Sequence, residues 1–268
     1  MKNSNIAVIM SVYKNDKLEY LKEAINSLQM VDIFIHCDGK VADGIESYLD
    51  DLLDAKHIVH LSKSDINKGL AYSLNLLINN ALDKGYHYIA RMDSDDISIK
   101  DRFRLQYDFL EKHKEIDIVG GYIEEFANDF KYHKIVKYPL EHEDMFRFFK
   151  KRVPLAHVSV MYRDSYFQKA GFYPTTSLTN EDTLMWMEGF KNGCLFANIP
   201  KVLVKVRIGR DFFGRRGGIK KAWSDFKDRI MVIRVLRYNY TSYIYALLIF
   251  LVNIAPQNIK KFLYKTLR

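Results

Sequence analysis

The stretch YHYIARMDSDD, residues 86–96, decides how this chain is read. Its first half is an apolar-rich run of strand length. Its second half sets three carboxylates, Asp93, Asp95 and Asp96, within four residues. Left unpaired, those charges repel one another where a buried strand ends, so the segment asks for a cation. A lone DxD is weak evidence, and two familiar acidic motifs do not fit. An EF-hand loop needs Asp or Asn at its fifth position and Gly at its sixth, where Ile97 and Ser98 stand. A DxDxT phosphatase needs Thr in place of Ile97. Two readings stay open: a solvated acidic loop capping the next helix, or a hard-cation site whose ion is shared with phosphate oxygens.

The surrounding pattern supplies context. Residues 6–10 read as a strand, followed by a helix from about Asp16, where Asp16 and Glu19 have capping-box spacing and Leu18, Leu21, Ile25 and Leu28 share a face. A second strand over 33–36 ends at Cys37-Asp38-Gly39, a helix carries Ile45, Tyr48, Leu49, Leu52 and Leu53, and a third strand covers 57–61. Gly69 opens a helix that stops at Lys84-Gly85, and residues 86–92 form the fourth strand. This βαβαβ rhythm predicts a parallel sheet with helices on its faces and ligands beyond the strands' carboxyl ends. Those ends are Ser11-Val12-Tyr13, Asp38-Gly39 and the acidic cluster. Further on, Phe103, Tyr107 and Leu110 mark a helix, 116–119 a strand, PLAHVSVM (154–161) another strand, and NEDTLMWMEGF (180–190) a helix with acids in its first turn.

With 268 residues, 48% of them hydrophobic, the chain can bury one sizeable core, and one domain with an appendage is the expectation. Two cysteines, Cys37 and Cys194, are too few and too distant for a disulfide framework, so buried thiols in a reducing compartment are expected. The run IAVIM after Lys2 is too short for a signal peptide, which predicts a cytoplasmic location. The net charge of +8 is unevenly spread: residues 201–268 hold sixteen Lys and Arg against three Asp and no Glu, a net of +13, leaving the first 200 residues at −5. The basicity belongs to the tail and points to an anionic surface meeting the C-terminus, with no nucleic acid expected.

Five blocks then occur in order: IAVIMSVYKND, IHCDG, NKGLAYSLN, RMDSDDISIKDRF, and HVSVMYRDSYFQKAGFY followed by NEDTLMW. Over residues 5–215 the chain resembles the family 2 glycosyltransferases, inverting enzymes of GT-A fold. The resemblance implies an α/β architecture with a Rossmann-like, mostly parallel sheet over residues 1–215 and a helical, basic extension over 216–268. It implies that Ser11 and Tyr13 line a uridine site, that Asp38 bonds the uracil, and that Asn67, Lys68 and Gly69 lie near the nucleotide. Packing alone would also explain Tyr13, and a tight turn Gly69. Asp95 becomes the metal ligand for Mn2+ or Mg2+, with Asp93 near the ribose or the metal's waters and Asp96 to spare. Arg91 assists electrostatically or merely pairs with the aspartates. Glu181-Asp182 match the family's ED motif, which makes Asp182 the base, although acids also favour a helix N-terminus for its dipole. His157 and Arg207 align with positions near the diphosphate or acceptor, and a satisfied structural role would also explain each. Val158 stands where relatives often have Pro.

The segments VRIGRDFFGRRGG and FLYKTLR resemble enzymes that build O-antigen or capsule repeat units on a lipid diphosphate. That implies transfer of glucose or galactose, β1,3, from a UDP-sugar to GlcNAc or GalNAc on undecaprenyl diphosphate. Residues 243–252 are ten unbroken apolar residues, short of the ~20 that span a bilayer. In IKKFLYKTLR one helical face is apolar and the others basic, the pattern of a helix lying in an anionic membrane surface, here the inner face of the bacterial inner membrane. A solvated tail or a dimer contact is the simpler alternative. Two competing functions are a sugar-nucleotide pyrophosphorylase, for which SVYKNDKLEY lacks the glycines of a phosphate loop, and a non-catalytic basic adaptor.

Overall fold

The structure is a computed structural model and describes residues 5–128, 131–175, 180–209 and 219–255, the side chain of Lys220 excepted. Strands β1 (Ile6–Val12), β2 (Asp32–Cys37), β3 (His60–Lys63) and β4 (Tyr88–Arg91) pair in parallel in the order β3-β2-β1-β4, with α1 (Leu18–Asn26), α2 (Asp43–Asp54) and α3 (Leu70–Asp83) between them. Side-chain alternation explains the layers. Val8, Met10 and Val12 of β1 enter one apolar cluster while Ala7 and Ile9 enter another, so both faces of the strand need cover. Leu21 and Ile25 of α1 with Ile45 and Leu49 of α2 cover one face; Leu74, Leu77 and Ile78 of α3 cover the other.

Then follow β5 (Ile97–Ser98), α4 (Arg102–Lys112), β6 (Ile118–Phe126), β7 (His133–Val136), α5 (His142–Phe149), β8 (Met161–Arg163), α6 (Asp164–Ala170), α7 (Glu181–Lys191), β9 (Phe196–Arg207), α8 (Ile219–Val235) and α9 (Tyr243–Ile254). β8 inserts antiparallel between β4 and β6, β9 runs parallel to β6, and β5 and β7 pair antiparallel with β9 and β6. Thus β1–β4, β6 and β9 share one direction and, among the described residues, three short strands oppose it. The sheet is mostly parallel, as expected, and its carboxyl ends form one edge.

Three local expectations shift. The third strand begins at His60 rather than 57, because the His57 and Ile58 N–H groups close the end of α2 on the Leu52 carbonyl, at 2.8 and 3.3 Å. PLAHVSVM is a strand only at its end. His157–Ser159 is a 3-10 turn in which Ser159 bonds back to the Ala156 carbonyl through both N–H and hydroxyl. Asp16 does not cap α1, which starts at Leu18 with Lys17 at the N-cap and no side-chain cap. Cys37 and Cys194 are buried free thiols.

The expected boundary near 215 and part of VRIGRDFFGRRGG lie outside the described residues, as does IKKFLYKTLR. Helix α8 packs on the core: Val232 enters the cluster that holds Trp186 and Phe149, and Arg229 donates to the Phe149 carbonyl. Helix α9 lies on α8 through Phe250, which meets Trp223 and Phe226. Ala246 faces inward, while Ile244, Leu247, Leu248 and Leu251 are 47–58% exposed. Among the described residues no helix is long and apolar enough to cross a membrane.

Candidate active site

The ends of β1 and β2 are tied to neighbouring loops by backbone donors. Asp38, 3% exposed, accepts the Lys68 N–H on one carboxylate oxygen at 2.7 Å and the Gly69 N–H on the other at 2.9 Å, while Asn67 Nδ2 donates to the Asp38 carbonyl at 3.1 Å. Each carboxylate oxygen keeps a second lone pair, so the expected uracil contact is compatible with this arrangement. Close approach requires glycine: at Gly39, φ 86°, a Cβ would stand 3.0 Å from the Asn67 nitrogen. Gly69, φ 93°, turns the chain into α3. Lys68 Nζ sits 4.5 Å above the Tyr72 ring. Ser11 and Tyr13 are half-buried at the end of β1.

Asp16 joins this group instead of capping its helix. Its Oδ2 accepts the Tyr13 N–H at 2.9 Å and the Ser94 hydroxyl at 2.8 Å. Burial pushes the Asp16 carboxyl up to about 6, with the Asp93 charge adding to the effect. Asp95 is likewise pushed up to about 6, by burial and then by Asp93 and Asp16. Asp96, 2% exposed, turns inward and accepts the Arg207 N–H at 2.8 Å. Arg91, 4% exposed, pairs with Asp93, and its buried Nε has no partner.

These residues fit a divalent cation. The donors are all carboxylate oxygens, the set that suits Mg2+ or Mn2+, and burial, with like charge adding to it, holds Asp95 and Asp16 above the usual carboxylate range. Among the described residues no three His, Cys, Asp or Glu side chains close around one point. Such a partial shell suits an ion completed by substrate phosphates and water.

The start of α7 faces the same charges. Glu181 is pushed up by burial and by Asp182, with Arg91 pulling it down and Asp93 pushing it up. Asp182 is also pushed up by burial; the Thr183 N–H, donating at 2.6 Å, and Arg91 act against this. Arg91 therefore interacts with both the acidic loop and the ED pair. His157, half-buried, bonds through Nε2 to the Tyr173 hydroxyl at 2.7 Å, which meets the Tyr162 hydroxyl at 2.7 Å. Burial and then Arg91 push its pKa well below the ordinary value, so the imidazole is neutral.

Arg207 stands at the end of β9. Its guanidinium is used within the fold: it donates to the Asp95 carbonyl at 2.9 Å and to Glu23 at 2.5 Å, and lies 4.1 Å from the Tyr20 ring centre and 4.9 Å from that of Phe126. The register of β9 opposite Phe126 on β6 directs it toward α1, where it supports the acidic loop from behind.

Two further supports lie outside the sequence expectations. Arg102, fully buried, donates to the Arg91 carbonyl at 2.7 Å and to Gln106 at 3.1 Å, and Gln106 in turn bonds the carbonyls of Val119 and Ser159, each at 2.9 Å. Their signal was the i, i+4 spacing in line with the core residue Leu110. Asp16 offered no such signal, because its capping position explained it locally.

The architecture is that of the GT-A glycosyltransferases. The mannosyltransferase PcManGT from Pyrobaculum calidifontis, in complex with GDP-Man and Mn2+, superposes with a TM-score of 0.63 over 91% of this chain and 73% of that one, at 14% identity. The sequence fixes the family more narrowly: the profile of glycosyl transferase family 2 matches residues 7–171, and the chain belongs to that family. An uncharacterized glycosyltransferase of Haemophilus influenzae is 32% identical over 229 residues, 82% of each chain. The UDP-Gal:alpha-D-GlcNAc-diphosphoundecaprenol beta-1,3-galactosyltransferase of Escherichia coli is 28% identical over 265 residues, 97% of this chain and 94% of its own. Family membership selects a transferase over the pyrophosphorylase and adaptor alternatives.

Proposed function

We propose that this glycosyltransferase moves a hexose, glucose or galactose, from its UDP derivative to GlcNAc or GalNAc on undecaprenyl diphosphate. The transfer is β1,3, inverts the anomeric carbon, depends on Mn2+ or Mg2+, and serves O-antigen or capsular polysaccharide synthesis. The E. coli relative, similar along nearly the whole of both chains, supports the substrate class. One observation carries the chemistry: buried Arg91 pairs with Asp93 and its charge also acts on Glu181 and Asp182, which supports a donor site and a base beside one another.

In this reading Ser11, Tyr13, Asp38 and the Asn67-Lys68-Gly69 loop receive the uridine. Asp95 and Asp93 would hold the cation, which when bound offsets the charge developing on departing UDP. Asp182 takes the proton of the acceptor hydroxyl as its oxygen attacks C1 from the face opposite UDP. The new O–C1 bond forms as the C1–O bond to the β-phosphate breaks, and the bonding pair leaves with UDP. The raised pKa makes ionised Asp182 a stronger base than an exposed aspartate. Glu181 and His157 border the acceptor. Residues 1–215 carry the transfer. Residues 216–268 attach the enzyme to the cytoplasmic face of the membrane, a role that the exposed apolar face of α9 and the basic tail support.

The test assays UDP-glucose, UDP-galactose and their N-acetyl forms against GlcNAc- and GalNAc-diphosphate lipids, with and without Mn2+. Metal-dependent formation of a β1,3-linked hexose is expected. A product that retains the donor's anomeric configuration, or no hexosyl transfer from any donor, overturns the reading.

A further inference from the structure

Asn180 stands immediately before Glu181-Asp182, at the N-cap of α7, and its use is unusual. An N-cap Asn ordinarily turns its side chain onto its own helix's free N–H groups. Here no side-chain cap forms, and the residue takes a left-handed backbone, φ 65°. The side chain is given over to α8. Its Nδ2 donates to Asp225 Oδ1 and to Asp228 Oδ2, both at 2.8 Å, and its Oδ1 accepts from Lys221 Nζ at 3.3 Å. Asp225 also receives Lys221 Nζ and, from α9, Asn253 Nδ2, each at 2.9 Å. Helix α8 therefore meets Asn180 directly, and α9 joins the group through Asp225.

The groups around it are sheltered. Asp228 is 9% exposed and Lys221 and Asp225 are partly buried, so these charge-assisted bonds are held in place rather than exchanged freely with water. A backbone in a sparsely populated conformation, held there by partners on another element, is the kind of outlier that marks a functional constraint. The helix dispenses with its cap, and what it gains is a fixed attachment of its first turn to α8.

We propose that Asn180, Asp225 and Asp228 are positioning residues: the C-terminal helix pair, through this bracket, sets where the carboxylates of Glu181 and Asp182 stand relative to the acidic loop. The inference rests on the reading of Asp182 as the base. Its consequence is that the C-terminal helices are part of the catalytic apparatus. The nucleotide site, built from β1, β2 and β4, is independent of the bracket, so binding and turnover should separate.

The experiment uses the full chain and three comparisons. Asn180→Gly accepts the left-handed backbone without strain and loses only the bracket. Asp228→Ala removes an acceptor, whereas Asp228→Asn can keep it by presenting its amide oxygen. Expected are a kcat roughly ten-fold or more lower in Asn180→Gly and Asp228→Ala, given how steeply rate depends on placement. In both, KM for the UDP-sugar and Mn2+-dependent UDP affinity stay within about two-fold, and Asp228→Asn restores kcat. If Asn180→Gly turns over within about two-fold of the parent while Asp182→Asn is inactive, the bracket is overturned and the base reading stands. If Asp182→Asn remains active, the base reading falls and the inference that rests on it is overturned with it. A lowered thermal midpoint with unchanged kcat per folded molecule assigns these residues to stability alone, and also overturns it.

Discussion

The Asp16 carboxylate and the Ser94 hydroxyl meet at 2.8 Å, and the same oxygen accepts the Tyr13 N–H at 2.9 Å. One atom thus joins the end of β1 to the acidic loop after β4. Asp16→Ala should raise KM for the UDP-sugar about ten-fold and lower stability by roughly 1–3 kcal/mol, the cost of leaving buried donors unpaired. Asp16→Asn, whose amide oxygen can accept both bonds, should lie between. Steady-state kinetics with denaturant unfolding measures both; an Ala variant with unchanged KM contradicts the tie.

Asp182→Asn should lower kcat by about 10²–10⁴-fold, the usual contribution of a general base, and leave UDP affinity within about two-fold. Burial raises the Asp182 pKa, so the acid limb of the kcat profile should lie above the ~4 of an ordinary aspartate. Activity rises with pH as the carboxylate ionises. Turnover that stays flat down to pH ~4 argues against this group.

Asp16 and Asp95 both have folded-state values near 6 against an ordinary 3.8. Between those values the folded protein binds more protons than the unfolded chain, so the contribution of these groups to stability is full below about 4 and is lost as pH rises through about 6. A bound cation reverses that loss. Mn2+ should therefore raise the thermal midpoint more at pH 7.5 than at pH 5, and Asp95→Ala should abolish the increment. Equal increments at both pH values would count against the acidic loop as the binding site.

Gly39→Ala and Gly85→Ala separate strain from collision. Both glycines have positive φ, 86° and 74°, but a Cβ at Gly39 meets the Asn67 backbone at 3.0 Å while one at Gly85 has nothing within 4 Å. Gly85→Ala should cost ~1–2 kcal/mol for the left-handed backbone alone. Gly39→Ala should cost more and weaken UDP binding by displacing the Asn67-Lys68-Gly69 loop. Thermal unfolding with UDP titration of both variants distinguishes them.

On α9, Leu247 and Leu251 are 51% and 47% exposed. Replacing both with Ser should reduce co-sedimentation with phosphatidylglycerol vesicles several-fold without changing turnover of a short-chain, water-soluble acceptor. Unchanged sedimentation would remove α9 from the attachment surface.

Much was legible in local pattern. The apolar runs of β1, β2 and β4 and the amphipathic faces of α1 to α3 set a parallel half-sheet, and the carboxylates of Asp93 and Asp95 had to follow β4. The same patterns misread Asp16 as a cap and left the role of Arg102 blank. A capping box or a helix face is a statement about neighbours in sequence, whereas these two side chains are used by partners 78 and 11 residues away.

By itself the sequence determined the family, the order of the layers and which residues stand at the strand ends, because side-chain periodicity dictates which faces are buried and loops must lie where the strands stop. The tertiary structure alone decided how charged groups far apart in sequence are paired. Arg207, 184 residues from Glu23, is held by that carboxylate and two aromatic faces, and Asn180 is held by two aspartates of α8. Such pairings depend on strand register and on how closely helices approach in space, and a buried charge takes the partner that packing brings within hydrogen-bond reach.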